Sequence, residues 1–401
     1  MGTQIHFLEN LLVQEKESLL SKKVKRESIG VPKESDVNET RVALTPEVVS
    51  FLVEEGYEVF VEENAGIFSG FENMDYTEAG AEITNNESIY KCNILFKILP
   101  PSLAEISMMN ENTVLFSLLS IYEKDSNYFQ ALLSKKITAL AYELIKDTGG
   151  YYPFVQSMSE ITGISLPLIA SEYLSHPKYG KGTLLGGITG LCPTEVVVIG
   201  TGTVAQHAVP IFQATGASVK VFDYSLSRLR KFKQHISSNI YTGNINDSEF
   251  KDAIKRADVV IAALYSEEYF SPCVISEEVV RQMKPESLII DVSIDQGGCA
   301  ETSCPTTLKS PVFRKYNVTH YCVPNIAARF PKSASIAISK NILTILQELT
   351  PLKEIRSLFG NDPNLQEAIY TYAGMITNIH ISNRLGVPCN NLKFLFNKFW
   401  S

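Results

Sequence analysis

The sequence lacks a long apolar run, a basic run and paired cysteines. No apolar stretch reaches the ~18 residues that a transmembrane helix needs, so we expect no membrane partner. The formal net charge is −8. Nucleic-acid binding needs a basic face that neutralises phosphates, and we therefore expect no nucleic-acid partner either.

Cysteine is present but scattered. The seven cysteines form no CxxC pair, and their number is odd, which does not fit a disulfide framework. Cys299 and Cys304 have no histidine nearby at the spacing of a zinc site. These observations predict a reducing, cytoplasmic location and no metal.

The first residues do not fit a signal peptide. Charged residues such as Glu9 and Lys16 interrupt the apolar stretch that such a peptide requires. Apolar residues from Ile5 to Leu20 recur at helical spacing, which predicts a short amphipathic helix within an N-terminal extension, residues 1–27.

From Ser28 onward, apolar strand segments alternate with helical segments. SIGVP and YEVFVEE have the composition of strands, and TPEVVSFLVEEG between them has that of a helix, with acidic Glu47 in its first turn and Gly56 at its end. Strands that alternate with helices predict a parallel sheet with right-handed crossovers.

The segment TEVVVIGTGTVAQHAVPIFQATGASVKVFD contains a complete strand–loop–helix–strand signature of dinucleotide binding. The first glycine of the loop permits a tight turn, the second lets a pyrophosphate approach the backbone, and the alanine allows close packing of the helix. An aspartate at the end of the second strand can accept hydrogen bonds from a ribose hydroxyl, which favours NAD over NADP. The predicted cofactor residues of this segment are Gly200, Gly202, Thr203, Val204, Ala205 and Asp223.

Later segments extend both sheets. ADVVIAAL, SLIIDVSID and THYCVPN are predicted strands, a helix is predicted from Ser333, and NLQEAIYTYAGMITNIHISNRLGV is predicted as one helix that ends at Gly386. The fold prediction is an α/β protein with two doubly wound, parallel-sheet, Rossmann-like domains. The NAD-binding domain (156–331) is inserted into a substrate domain (28–155 and 332–401), and the cleft between them is expected to hold the reacting groups.

Several segments in order resemble the family of alanine dehydrogenases and transhydrogenase α-subunits. They include IGVPKES, NETRVALTP, AGIFSGFEN, MSEITG, VVVIGTGTVAQHA and YCVPN, and SIDQGGCAETSCPTT is similar to the alanine dehydrogenase branch. The resemblance runs from about Ile29 to the C-terminus. It implies a substrate domain with an inserted NAD domain, an amino acid or 2-oxo acid as substrate, and a homo-oligomer, either a hexamer or a dimer.

The resemblance also implies site residues. Arg41 matches the arginine that binds the substrate carboxylate, and a guanidinium suits a carboxylate. Asp295 and Asn325 match an aspartate and an asparagine beside the nicotinamide, and Ser159 matches a serine that binds pyrophosphate. Each has a structural alternative: a surface ion pair for Arg41, a loop cap for Asp295 and a turn for Asn325.

The chain departs from the family at two catalytic positions. Leu99 stands where the family has its catalytic lysine, and Ser120 stands where it has a histidine. Serine has no pKa near neutrality and does not replace imidazole as a general acid. Lys97 matches another, less central lysine of the family and lies two residues before Leu99, on the same side of a strand. One hypothesis is that it reaches toward the vacant place and substitutes for the missing lysine; the alternative is that it supports the fold or the nucleotide.

Three hypotheses follow. The first is an NAD-dependent amino-acid dehydrogenase, in which Lys97 or Asp295 takes over the lost chemistry. The second is an NAD-binding relative that has lost the chemistry and senses nucleotide or serves assembly. The third is a transhydrogenase-like hydride carrier.

Overall fold

The computed structural model describes residues 27–119, 124–236, 239–265, 270–348 and 362–392, together with residues 359 and 395. The chain divides into two compact units. The first unit comprises residues 1–35, 41–153 and 335–401, and the second comprises residues 36–40 and 154–334. The predicted N-terminal helix lies outside the described residues. Within the described ranges, no helix is long and apolar enough to cross a membrane.

The first unit is built on one sheet with the order β15-β14-β6-β5-β4-β1-β2-β3. Strands β1 to β6 pair in parallel, and the last two strands are antiparallel. The strands are β1 (Ser28–Val31), β2 (Glu58–Glu62), β3 (Glu82–Thr84), β4 (Ile94–Phe96), β5 (Val114–Ser117), β6 (Thr138–Ala141), β14 (Ile369–Tyr372) and β15 (Met375–Ile376).

Helices connect these strands. They are α1 (Pro46–Glu54), α2 (Asn73–Glu78), α3 (Asn86–Ile89), α4 (Leu103–Met108), α5 (Ser126–Ser134), α11 (Pro331–Glu348, of which all but the first turn belongs to this unit), α12 (Pro363–Ala368) and α13 (Ile379–Leu385). Helix α1 shows how the sequence sets their limits: Pro46 begins it, Glu47 lies in its first turn, and Gly56 follows its end at φ 92°.

The second unit has its own sheet, in the order β12-β13-β11-β10-β7-β8-β9. All pairs are parallel except β12 with β13. The strands are β7 (Glu195–Ile199), β8 (Ser218–Asp223), β9 (Tyr241–Asn244), β10 (Val259–Ala262), β11 (Leu288–Asp291), β12 (Val312–Lys315) and β13 (Val318–Tyr321). The helices are α6 (Pro153–Ser175), α7 (Thr203–Ala214), α8 (Leu226–Ile236), α9 (Ser248–Arg256) and α10 (Glu277–Arg281).

In each unit the six parallel strands follow the same order. Taken along the chain as first to sixth, they lie as 3-2-1-4-5-6, which is the doubly wound Rossmann order. Central strands such as β10 and β11 are buried along their whole length because helices cover both faces. The prediction of two α/β, doubly wound, Rossmann-like domains is therefore confirmed.

The C-terminal tail does not form the single helix that its sequence pattern predicted. Residues 369–376 instead form the hairpin β14–β15, and β14 pairs antiparallel with β6. The β-branched and aromatic run Ile369–Tyr372 favours a strand, and Ala373 and Gly374, both at positive φ, form the turn. The predicted end of the last helix at Gly386 is confirmed, with φ 65°.

Candidate functional site

The glycine loop of the second unit leaves no room for a side chain at its first position. Gly200 follows β7 at φ 103°, and a Cβ atom there would lie 2.3 Å from the carbonyl oxygen of Ala263. The amide of Gly200 donates a hydrogen bond of 2.7 Å to the carbonyl oxygen of Phe222. The loop therefore passes tightly between the carboxyl ends of β8 and β10, at the point where the strand order reverses.

The second glycine of the loop faces open space. Gly202 caps the N-terminus of α7, and a Cβ atom there would have no neighbour within 4 Å. The first amide groups of a helix are unpaired and attract anions. Thr203 and Val204 form the first turn of α7, and Ala205 is fully buried beneath it. This geometry fits a pyrophosphate over the loop.

Helix α6 packs closely on this first turn. A Cβ atom on Gly163 would lie 2.5 Å from the carbonyl oxygen of Val204, so glycine is what allows the approach. Ser159 lies one helical turn before Gly163 on α6 and is half-buried. Residues four apart lie on the same face of a helix, so Ser159 is directed toward the start of α7.

Asp223 ends β8 beside the glycine loop. Its side chain is 3% exposed. The hydroxyl of Thr201 donates to Oδ2 at 2.7 Å, and the amide of Ser225 donates to Oδ1 at 2.9 Å. The carboxylate is thus fixed in one orientation at the carboxyl edge of the sheet.

The loop that carries Asp295 is organised by a second, fully buried aspartate. Asp291 ends β11 and accepts hydrogen bonds from the amides of Ser293, Cys299 and Ala300 and from the hydroxyl of Ser303. Burial raises the pKa of Asp291, and these donors offset that rise in part. The exposed Asp295 lies in the short 3₁₀ turn Ile294–Gln296 within this loop.

Asn325 begins another short 3₁₀ turn, Ile326–Arg329, with φ 55° and ψ 58°. Asparagine tolerates this left-handed conformation better than most residues. Its side-chain amide donates to Oε2 of the buried Glu39 at 3.3 Å. Asn325 itself is exposed, following β13 and its short connection.

A cavity of about 590 Å³ lies at the opposite edge of the same sheet. Glu195, Ser218 and Lys284 are among its lining residues, and the first two begin β7 and β8. Ligands of open α/β sheets bind at the carboxyl ends of the strands. The glycine loop, and not this cavity, is therefore the candidate nucleotide site.

In the first unit, Lys97 directly follows β4 and is buried. Its ammonium lies 2.7 Å from Oε2 of Glu34, which follows β1. The same carboxylate accepts hydrogen bonds from the amides of Ile98 and Leu99, at 2.6 and 3.3 Å. Glu34 thus bridges the ends of β1 and β4, the neighbouring strands at which the order of this sheet reverses.

A second carboxylate lies behind Lys97. Glu105 Oε1 is 3.7 Å from the ammonium and accepts a 2.5 Å hydrogen bond from the hydroxyl of Tyr90. Burial alone would raise the pKa of Glu105, but Lys97, Tyr90 and Ser102 outweigh it and the pKa is lowered. Burial and the hydrogen bond to Glu105 raise the pKa of Tyr90. The cluster therefore places the Lys97 ammonium close to the carboxyl groups of both Glu34 and Glu105.

Leu99, one of the two positions at which the sequence predicts a departure from the family, lies at the same edge. Leu99 is half-buried, two residues beyond Lys97. Leu119, after β5, donates its amide to Oε1 of Glu143 at 2.8 Å. Ser120 lies outside the part of the chain that the structure describes.

Arg41 is 3% exposed and begins a segment that is hydrogen-bonded to α11. The amides of Val42 and Thr45 donate to the hydroxyls of Ser335 and Ser339, both at 2.9 Å. The backbone that carries the guanidinium is therefore held in place by buried hydrogen bonds.

Three polar residues of these edges were not predicted from the sequence: Glu34, Thr201 and Asp291. Each lies within three residues after the end of a parallel strand, or at the end itself. Polar side chains at the carboxyl ends of such strands are the signal that would have identified them.

Comparisons with known proteins match both parts of the chain to one family. The family model described as alanine dehydrogenase/PNT, N-terminal domain, matches residues 30–162, and the one described as alanine dehydrogenase/PNT, C-terminal domain, matches residues 167–379. Alanine dehydrogenase of Mycobacterium tuberculosis is 33% identical over 362 residues, covering 90% of this chain and 97% of the relative. Alanine dehydrogenase of Bacillus subtilis is 36% identical over 360 residues, covering 89% and 94%.

Solved structures show the same fold. An L-alanine dehydrogenase superposes with a TM-score of 0.83 at 30% identity, covering 90% of this chain and 99% of the other. A transhydrogenase from Sinorhizobium meliloti superposes with a TM-score of 0.74 at 23% identity, covering 88% and 99%, and shares the fold. With both family models matched along most of its length, the chain belongs to the alanine dehydrogenase and pyridine nucleotide transhydrogenase family.

Proposed function

We propose that the chain is an NAD-dependent amino-acid dehydrogenase of the alanine dehydrogenase type. The reaction is L-alanine, or a related amino acid, plus NAD⁺ and water, giving the 2-oxo acid, ammonium, NADH and a proton, and it is reversible. The observation that carries the proposal is the glycine loop: Gly200 has no room for a side chain, Gly202 faces open space, and Asp223 lies beside them.

The residues of this edge fit NAD. The open space at Gly202 and the N-terminus of α7 suit a pyrophosphate, and the fixed carboxylate of Asp223 suits a ribose diol. Bound NAD would supply the hydride acceptor. The residues proposed to hold it are Ser159, Gly200, Gly202, Thr203, Val204, Ala205 and Asp223, with Asp295 and Asn325 at the nicotinamide.

For the substrate, we propose that Arg41 binds the carboxylate, because a guanidinium can form two parallel hydrogen bonds with it. Asn325 is proposed to contact the substrate as well. Asp295, exposed on its 3₁₀ turn, is the proposed catalytic carboxylate that exchanges a proton with the substrate. A catalytic role for Lys97 stays a prediction; its ion pair with Glu34 also supports a role in holding residues 97–99.

One observation favours a second candidate, an NAD-binding relative without turnover. Leu99 places an apolar side chain at the position of the family lysine, and the ammonium of Lys97 is engaged by Glu34 and lies near Glu105. Such a protein would keep the glycine loop and lose the chemistry. Homo-oligomerisation as a hexamer or dimer, and a cytoplasmic location, stay predictions of the sequence.

The test is reductive amination. Purified protein is mixed with NADH, ammonium and a panel of 2-oxo acids that includes pyruvate, and the loss of NADH absorbance is followed. Calorimetry measures NADH binding in parallel. Turnover with any 2-oxo acid supports the dehydrogenase, and Arg41→Ala should then raise the KM for the oxo acid. NADH binding without turnover on the whole panel would replace the proposal with the second candidate.

A further inference from the structure

Thr201, the residue between the two glycines of the loop, connects the loop to Asp223. Its hydroxyl donates to Oδ2 of Asp223 at 2.7 Å, and Thr201 itself is 6% exposed. One residue earlier, the amide of Gly200 donates to the carbonyl oxygen of Phe222 at 2.7 Å. Two consecutive loop residues therefore bind two consecutive residues at the end of β8.

The opposite oxygen of Asp223 is also held. The amide of Ser225 donates to Oδ1 at 2.9 Å. An ionised carboxylate has about four lone-pair sites on its two oxygens. One site on each oxygen is used inside the protein, and one on each remains for a pair of neighbouring hydroxyls. The two inner hydrogen bonds set the direction in which the remaining sites point.

We propose that Thr201 is a positioning residue that sets the preference for NAD over NADP by orienting the carboxylate of Asp223. This inference rests on the proposed binding of NAD. With the Thr201 hydroxyl removed, the carboxylate keeps only the Ser225 amide on one oxygen and is free to turn about its side-chain bonds. The ribose diol then loses its fixed acceptor, whereas the repulsion of a 2′-phosphate needs only a negative charge nearby and therefore changes less.

The experiment compares three variants. Thr201→Val removes the hydroxyl at similar volume, and Thr201→Ser restores it. Thr319→Val is the matched control, because Thr319 in the same unit is 1% exposed and its hydroxyl donates to the carbonyl oxygen of Tyr179 at 2.6 Å. Calorimetry gives the Kd of NADH and of NADPH for each protein, and thermal unfolding without nucleotide confirms that each is folded.

The expected result is that Thr201→Val raises the Kd for NADH by about three- to tenfold, the range that the net contribution of a typical hydrogen bond predicts. The ratio of the NADPH to the NADH Kd falls accordingly. Thr201→Ser keeps the wild-type ratio within about twofold, and Thr319→Val lowers the unfolding temperature without changing the ratio.

Two outcomes overturn the inference. An unchanged ratio in folded Thr201→Val would show that Asp223 needs no orientation by Thr201. An equal change in Thr319→Val would show that the effect is one of general stability. A wild-type protein that binds neither nucleotide would instead contradict the proposed function itself.

Discussion

The ammonium of Lys97 lies 2.7 Å from a carboxylate oxygen of Glu34, and the Lys97 side chain is 1% exposed. This buried ion pair joins the ends of β1 and β4, where the strand order of the first sheet reverses. In open α/β sheets this is the place at which ligands bind. The loop that carries Leu99 is thus fixed by charge and by the backbone hydrogen bonds to Glu34.

Removal of Lys97 should destabilise the protein. Lys97→Met removes a counter-charge from the buried carboxylates of Glu34 and Glu105, which should lower the free energy of unfolding by about 3–5 kcal/mol. Urea unfolding followed by circular dichroism measures the loss. The control is Lys136→Met, whose partner Glu111 is 3.8 Å away and whose side chain is 54% exposed, with an expected change within about 1 kcal/mol. Equal losses in both variants would contradict the importance of the buried pair.

The two glycines of the loop should respond differently to alanine. Gly200→Ala places a methyl group 2.3 Å from the Ala263 carbonyl oxygen at φ 103°, and we expect a loss of stability of at least about 1–3 kcal/mol without nucleotide. Gly202→Ala meets no neighbour at φ −72° and should unfold near the wild-type temperature. Its methyl group would occupy the approach of the pyrophosphate, so its Kd for NADH should rise about tenfold or more. Wild-type NADH affinity in Gly202→Ala would disprove this placement.

His320 should make the protein sensitive to acid. It is fully buried in β13 (0% exposed), with Nε2 2.8 Å from the hydroxyl of Thr302, Nδ1 3.1 Å from the carbonyl oxygen of Val318, and Lys315 as a nearby charge. Burial lowers its pKa from 6.5 to about 4. Between these values the unfolded chain binds a proton that the folded chain excludes, so the free energy of unfolding should fall by about 3 kcal/mol as the pH falls from 6.5 to 4.

Urea unfolding at a series of pH values tests this dependence. In His320→Asn, which does not titrate, the slope of stability against pH in this window should be shallower than in the wild type. His235→Asn, a change on the exposed surface of α8, should keep the wild-type slope. Identical slopes in all three proteins would rule out His320 as the cause.

The fold was predictable because its signals are local. The apolar strand Val196–Ile199, the glycine loop and the end of α7 before Gly216 each follow from residue type and spacing. Local signals were not sufficient in the C-terminal tail. Ile369–Tyr372 directly follows a helix in the sequence, but in the structure it pairs with β6. Pairing with β6, which is distant in the sequence, decides its structure, and the spacing of apolar residues within the tail does not show that pairing.

The residues of the candidate site could be predicted where a sequence motif fixes their spacing. They could not be predicted where residues far apart in the sequence come into contact. Gly200, Gly202 and Asp223 followed from their spacing. The contact of Glu34 with Lys97 joins residues 63 positions apart, and that of Thr201 with Asp223 depends on how the loop folds back over β8. Asp291 was not predicted because, in the sequence, it stands out only as the polar residue that ends an apolar run.

Restoring the family residues tests whether the chemistry was weakened at those positions. The double substitution Leu99→Lys with Ser120→His should raise kcat/KM for amination of pyruvate by at least about tenfold, because a general acid contributes about 10²–10⁴ in rate. The control is Leu103→Lys on α4, which is 50% exposed and should change nothing. A folded double variant with no gain would show that the pocket serves another substrate or none.

Transfer of label from the nucleotide to the amino acid tests the proposed dehydrogenase most directly. NADH that carries deuterium at both C4 positions is incubated with the protein, ammonium and a panel of 2-oxo acids including pyruvate, and the products are analysed by mass spectrometry. We expect an amino acid, alanine or a close relative, with one deuterium on its α-carbon. Tight binding of NADH with no deuterium in any amino acid, or deuterium found only on a second nucleotide, would contradict it.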